Sequence, residues 1–358
     1  MSIPETQRSR GRIRSSVENI RLYKPGKPAA ADSFKVSSNE SHLPPLPAIR
    51  DAVIEEIDRV NRYPVDLTQT LAELLAHRHG VEPEQIHLST GASAVLGELV
   101  RATVDEGGEV IYPWRSFELY PILVAQHGGT PVAVPLNAGH RTDLEAMLAA
   151  ITDRTQLILL CSPNNPDGAV MGEAELRTFL DRVPDHIPVG LDEAYAEFAE
   201  PAQPDMGAIF RDYENTVRLR TFSKVHGIAG LRLGYGIAHP DVAVGLRRAA
   251  PPFAANSLAL AAGIAALRPD VHKQLAERTA WVVSERERMR AGITRDLPES
   301  GGNFIYLPLG ADTPAFVEFA DSYGLVVRGY GEDGVRISVG EEEANSLSIR
   351  AVNDWDAR

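Results

Sequence analysis

Apolar runs bounded by Pro, Gly or polar turns recur through the first two thirds of the chain: EVIYP (109–113), PVAVPL (131–136), QLILLCSP (156–163), IPVGLDEAY (187–195) and TVRLRTFS (216–223). Runs this short and continuous predict buried strands. Between them, ASAVLGELVRATVDEG (92–107), LEAMLAAI (144–151) and EAELRTFLDRV (173–183) predict helices. Strands alternating with helices predict βαβ units, hence an α/β fold built on a doubly wound, mainly parallel sheet. Functional groups on such a sheet belong at the carboxyl ends of its strands. From about residue 257 the pattern changes to a long helical region, LALAAGIAALRPDVHKQLAERTAWVVSERERMRAGI, followed by the short strands GNFIYLPL (302–309) and GVRISV (334–339). That change predicts a second, smaller α+β domain. The expected division is an N-terminal arm with part of the small domain at 1–44, a large domain at 45–250 and the small C-terminal domain at 251–358.

Composition narrows the class. With 358 residues, 44% of them hydrophobic and 24% charged, the chain can bury a sizeable core and divide in two. Its net charge of −13, with no basic face outside the extreme N-terminus, argues against a nucleic-acid partner. The single cysteine, Cys161, excludes an intrachain disulfide and any multi-cysteine metal site, which points to a reducing, cytoplasmic compartment. No apolar run approaches the roughly 20 residues of a membrane span. The opening MSIPETQRSRGRIRSS lacks the apolar core of a secretory signal and is read as an arm ordered by contact with another subunit or domain. His77 and His79, two apart at a helix end, point to different faces and form no metal pair.

The polar residues at the strand ends carry the chemistry. STGASAVLGEL (89–99) puts a Gly-Ala-Ser turn at a helix start, where free N–H groups favour an anion, although Ser93 also suits a plain helix cap. SPNNPDG (162–168) reads either as a turn held by local asparagine hydrogen bonds or as a ligand loop. LDEAYAEF (191–198) ends an apolar strand on Asp192, a carboxylate that is expensive to bury without a cation, with Tyr195 three residues on. TFSKVHGIAGLRLGY (221–235) supplies Ser223, Lys224 and Arg232 on a Gly-broken segment. Together these suit one phosphorylated pyridine aldehyde. Ala92, Ser93, Ser223 and Arg232 match its phosphate, Asp192 its ring nitrogen, Asn165 and Tyr195 its phenolate oxygen, and Lys224 its aldehyde.

Nearly the whole chain resembles the fold-type I pyridoxal-phosphate aminotransferases, in the branch holding histidinol-phosphate aminotransferases and actinobacterial aromatic (phenylalanine) aminotransferases. The resemblance rests on RLYKPGKP (21–28), KVSSNES (35–41), NRYP (61–64), GASAV, WRSFELYP (114–121), SPNNPDG, DEAY, TFSKVHGIAGLRLGY, GNFIYLPLG (302–310) and GVRISVG (334–340). It implies pyridoxal 5'-phosphate as cofactor, with Lys224 as the Schiff-base lysine that moves a proton between the substrate α-carbon and cofactor C4′. It further implies Asp192 at the pyridinium, Asn165 and Tyr195 at the ring oxygen, and Phe117 stacked on the ring, where a core aromatic is the other reading. Tyr63 resembles the tyrosine that reaches the neighbouring subunit's phosphate, which implies a homodimer. Arg336 resembles the arginine that grips the substrate α-carboxylate, and Arg328 and Tyr23 resemble residues lining the side-chain pocket. Asp167 stands where the family usually has Thr, and Ser41 and His42 depart from its usual pattern near the substrate entrance.

The expected reaction is ping-pong amino transfer from an aromatic L-amino acid, phenylalanine or tyrosine, to a 2-oxo acid such as 2-oxoglutarate. Histidinol phosphate is the alternative donor, and decarboxylation of an amino-acid phosphate a further alternative. His226 is read as a loop residue near the site.

Overall fold

In a computed structural model, residues 13–22, 26, 30, 32–199 and 202–358 are described. Residues 1–12 of the arm and Tyr23 lie outside them. A short strand, β1 (Phe34–Lys35), precedes β2 (Ile86–Ser89), β3 (Glu109–Trp114), β4 (Thr130–Pro135), β5 (Thr155–Cys161), β6 (Val189–Asp192), β7 (Thr216–Thr221) and β8 (Gly234–Ala238). The last seven form one sheet in the order β2-β8-β7-β6-β5-β3-β4. β8 runs antiparallel to both neighbours, and every other pairing is parallel.

The central strands are covered on both faces, which is why their sequence is continuous rather than alternating. Leu157, Ile158, Leu159 and Leu160 are all buried, the odd pair among residues of helix Ala92–Thr103 and the even pair among those of helix Glu173–Leu180. β4 lies at the edge, and there Pro131 and Pro135 are tolerated. β7 places Arg218 and Arg220 in an otherwise apolar strand because both meet the buried Glu193 carboxylate at 2.6–2.8 Å. Burial pushes the Glu193 carboxyl up, and the two arginines outweigh it, holding its pKa down to about 2.

The remaining strands are β9 (Phe304–Leu307), β10 (Leu325–Val326), β11 (Arg328–Gly329) and β12 (Val335–Ser338). They form a three-stranded antiparallel sheet, β11-β12-β9, beside a parallel pair of β1 with β10. Their core gathers Val36, Ile305, Phe316, Val335, Ile337 and Val352.

The long helical region expected from residue 257 is two helices, Ser257–Ala266 and Pro269–Gly292, with Pro269 opening the second. The first packs with Leu71, Leu75 and Ile237 of the larger body, not with the smaller unit expected to begin at 251. The cause is its composition: SLALAAGIAA carries no charge, so nearly every side of it must be covered.

Candidate active site

β2, β5, β6 and β7 point their carboxyl ends toward one edge of the sheet, and the residues that follow them meet there. β5 pairs Cys161 with Asp192 of β6, and Asp192 pairs with Leu219 of β7. Asn165, Asp192, Ser223 and Lys224 therefore surround one cavity of about 330 Å3, together with Ala92, Ser93, Phe117, Tyr195 and Arg232. Every described residue assigned to the cofactor from the sequence lines it except Tyr63, which is 74% exposed and stacks on Phe253 at 4.3 Å.

The phosphate end is built from backbone. Gly91, with φ 89°, is the N-cap of helix Ala92–Thr103 and makes no side-chain cap bond, so Ser93 lies within the first turn rather than capping it. The first intrahelical bond is donated by Ala94 N to Gly91 O, which leaves the N–H groups of Ala92 and Ser93 as donors at the cavity wall. Arg232, itself in the left-handed region at φ 60°, donates from Nη1 to Ala229 O at 2.8 Å and to Ser223 Oγ at 3.4 Å. The cradle closes because position 234 has no side chain: a Cβ there would lie 2.2 Å from Ala92 N.

Asp192 lies across the cavity floor. Its carboxylate accepts from Tyr120 Oη at 3.1 Å and from Ala194 N at 3.1 Å. Among the described residues no lysine, arginine or histidine pairs with it, and burial raises its pKa to about 6. A buried carboxyl short of a cation fits a protonated ring nitrogen. Asn165 turns Oδ1 to Arg336 Nη1, which leaves its amide nitrogen as the donor end. The Tyr195 hydroxyl accepts from Asn39 Nδ2 at 3.0 Å, and burial raises its pKa. The Lys224 amine stands 5.5 Å from the centre of the Tyr195 ring and donates to Asn39 O at 3.1 Å and Ser38 O at 3.3 Å. Burial, aided by the charge of Arg336, lowers its pKa to about 7. The donor set thus fits a phosphorylated pyridine aldehyde from end to end.

The aminotransferase class I and II family model matches residues 31–350. The chain belongs to that family. An aromatic amino acid aminotransferase of Streptomyces avermitilis is 45% identical over 346 residues, 95% of this chain and 96% of its own. One of Rhodococcus jostii is 45% identical over 352 residues, 97% of each chain. Among solved structures, the histidinol-phosphate aminotransferase of Sinorhizobium meliloti in complex with pyridoxal-5'-phosphate superposes with a TM-score of 0.85. It is 27% identical, and the match covers 97% of this chain and 98% of that one. No helix of this aminotransferase among the described residues is long and apolar enough to cross a membrane.

Several contacts of this aminotransferase's cavity were not singled out from the sequence. Tyr120, three residues past Phe117 in WRSFELYP, supplies the hydroxyl bonded to Asp192. Asn39 joins Tyr195, Lys224 and Ser338. Its φ of 53°, a conformation Asn tolerates better than most residues, is the one local hint in SSNES. Asp167 braces the SPNNPDG turn, accepting from Asn164 Nδ2 at 2.5 Å and Ala169 N at 2.7 Å. Phe117 proves to be both cavity wall and core neighbour, meeting the Tyr120 ring edge-on at 5.7 Å. His226 lies against Phe222, with ring centroids 4.5 Å apart and planes tilted by 42°.

Proposed function

We propose that this aminotransferase moves the amino group of an aromatic L-amino acid, phenylalanine or tyrosine, to a 2-oxo acid such as 2-oxoglutarate, with pyridoxal 5'-phosphate as cofactor. The observation that carries the donor class is the run of relatives named aromatic amino acid aminotransferase, 42–45% identical over nearly the full chain. When bound, the cofactor supplies an aldehyde that carries the amino group and a ring that accepts negative charge.

The chain's own groups do the rest. Ala92 N, Ser93, Ser223 and Arg232 bind phosphate oxygens. Asp192 holds a proton on the ring nitrogen, Asn165 and Tyr195 donate to the ring oxygen, and Phe117 covers one ring face. Lys224 Nζ, neutral above about pH 7, takes the substrate α-proton and would deliver it to cofactor C4′. Arg336 grips the α-carboxylate as a bidentate pair. Its Nη2 now donates to Ser37 O at 2.6 Å, while its buried Nε has no partner among the described residues. Arg328 flanks the side-chain pocket, and Tyr23 belongs to the same proposal. Because the cofactor carries the amino group between half-reactions, kinetics are ping-pong.

Purified enzyme given phenylalanine, tyrosine, histidinol phosphate and aspartate, each with 2-oxoglutarate, is expected to show its highest kcat/KM with the aromatic donors. Histidinol phosphate outperforming phenylalanine would replace this donor class with the alternative favoured by the 0.85 TM-score neighbour. Release of CO2 in place of amino transfer would overturn the reaction itself.

We also infer a homodimer. Ile54, Ile57, Val60, Tyr63, Val65 and Phe253 are all exposed apolar residues, concentrated on the helix Pro47–Glu56 and the segment after it. A surface of that kind asks for a partner, and Tyr63 on it lies outside its own chain's cavity, as expected of a residue that serves a neighbouring subunit's phosphate. Sedimentation should give twice the chain mass, and a fully active monomer would rule the dimer out.

A further inference from the structure

Asn39 makes more bonds beside the lysine than a loop residue requires. It is buried, and its side chain links β12 to the segment that follows β6: Oδ1 accepts from Ser338 Oγ at 2.7 Å, and Nδ2 donates to Tyr195 Oη at 3.0 Å. Its backbone is held on both sides as well. The N–H donates to Ser338 Oγ at 2.8 Å, and the carbonyl accepts from Lys224 Nζ at 3.1 Å and from Asn303 Nδ2 at 3.3 Å.

The direction of each bond follows from counting protons. Ser338 Oγ accepts from the Asn39 N–H, so its own single proton needs an acceptor, and Asn39 Oδ1 stands beside it. Turning the amide over would set Nδ2 against that hydroxyl and leave the buried Ser338 proton without an acceptor among the described residues, at the cost of an unmade buried bond. Ser338 thereby fixes Nδ2 toward Tyr195. A tyrosine hydroxyl carries one proton. With its oxygen accepting from Asn39, that proton is left to donate elsewhere, and no acceptor for it lies among the described residues.

We propose that Asn39 is a positioning residue: locked by Ser338, it turns the Tyr195 hydroxyl so that its proton is donated to the ring oxygen of the cofactor. The backbone explains why asparagine suits the place, since φ is 53° there, in a region that Asn and Asp enter more readily than other side chains. Aspartate would keep the size and the backbone conformation but, when ionised, offers only acceptors, so the tyrosine proton would turn to it and away from the ring. The proposal rests on the cofactor reading above and adds to it the residue that sets the sense of one of its hydrogen bonds.

The test uses the full-length holoenzyme as wild type, Tyr195→Phe, Asn39→Asp, Ser338→Ala and Asn39→Asp/Tyr195→Phe. Absorbance reads the pH at which the bound cofactor loses the proton lying between Lys224 Nζ and the ring oxygen. A bond donated to that oxygen stabilises the negative charge left on it, so losing the bond raises this pH. Tyr195→Phe and Asn39→Asp are each expected to raise it by about one unit or more, and the uncharged Ser338→Ala by about half a unit. The carboxylate added by Asn39→Asp acts through its charge in either background, whereas the turned hydroxyl counts only where Tyr195 is present. The shift caused by Asn39→Asp should therefore be about one unit larger beside Tyr195 than in the Tyr195→Phe background. Equal shifts in the two backgrounds, or a Ser338→Ala transition at the wild-type pH, would overturn the proposal. A Tyr195→Phe transition at the wild-type pH would instead overturn the assignment of Tyr195 to the ring oxygen, on which the proposal stands.

Discussion

Lys224→Ala is expected to abolish transamination, with kcat lower by at least about 10⁴-fold, the upper range for loss of a positioned acid/base group. Loss of the covalent link to the cofactor adds to that loss. The fold should survive: among the described residues the lysine's hydrogen bonds run only to the backbone carbonyls of Ser38 and Asn39. Thermal unfolding and chain association therefore stay near wild type while borohydride no longer fixes cofactor to protein. Wild-type protein carries a pH signature of the same group. An ordinary lysine is half neutral near pH 10.4, but burial disfavours the ammonium here and lowers the pKa to about 7. The attacking form is the neutral amine, so recombination of cofactor-free protein with pyridoxal phosphate should quicken as pH rises and level off above about pH 7. A rate still climbing steeply at pH 9 would refute the lowered pKa. Retention of full activity in Lys224→Ala would refute the assignment.

Asp192→Asn carries the next largest expected effect, a loss of about 10²- to 10³-fold in kcat, on the scale of removing one preorganised electrostatic partner. The amide is nearly isosteric and can keep the Tyr120 and Ala194 contacts, but it cannot stabilise a protonated ring nitrogen. The loss should fall on kcat and on cofactor affinity, while KM for the amino donor moves little. That split separates an electrostatic role from a structural one, in which unfolding temperature and KM would shift together. Asp192→Glu should recover part of the rate only if its longer side chain still reaches the ring. A variant with wild-type kcat would remove Asp192 from the chemistry.

The sheet was legible because its central strands are covered on both faces. A strand such as Leu157–Ile158–Leu159–Leu160 cannot alternate, so it stands out as a solid apolar run ending where polar residues begin. The ends of those runs carried the site, since Asp192 is the last residue of β6 and Asn165, Ser223 and Lys224 follow their strands within a few residues. What stayed hidden depended on contacts distant in sequence. Tyr120 lies 72 positions from the Asp192 carboxylate it bonds, and no local pattern marks it. The engagement of Arg328 by Glu118 spans 210 positions. The packing of helix Ser257–Ala266 against the larger body was hidden for a different reason. An uncharged alanine-rich helix announces that it is buried but not against what.

The N-terminal strand has a consequence for how the molecule comes into being. β1 pairs with β10, Ser37 O receives Arg336 Nη2, and Asn39 N donates to Ser338 Oγ across 299 positions. A nascent chain halted before residue 336 already holds the lysine, the phosphate cradle and Asp192. It lacks Arg336 and Ser338, which hold Ser37 O and the backbone and side chain of Asn39. A chain ending before residue 336 is therefore expected to be inactive, since it lacks Arg336 and the β12 anchors of Ser37 and Asn39.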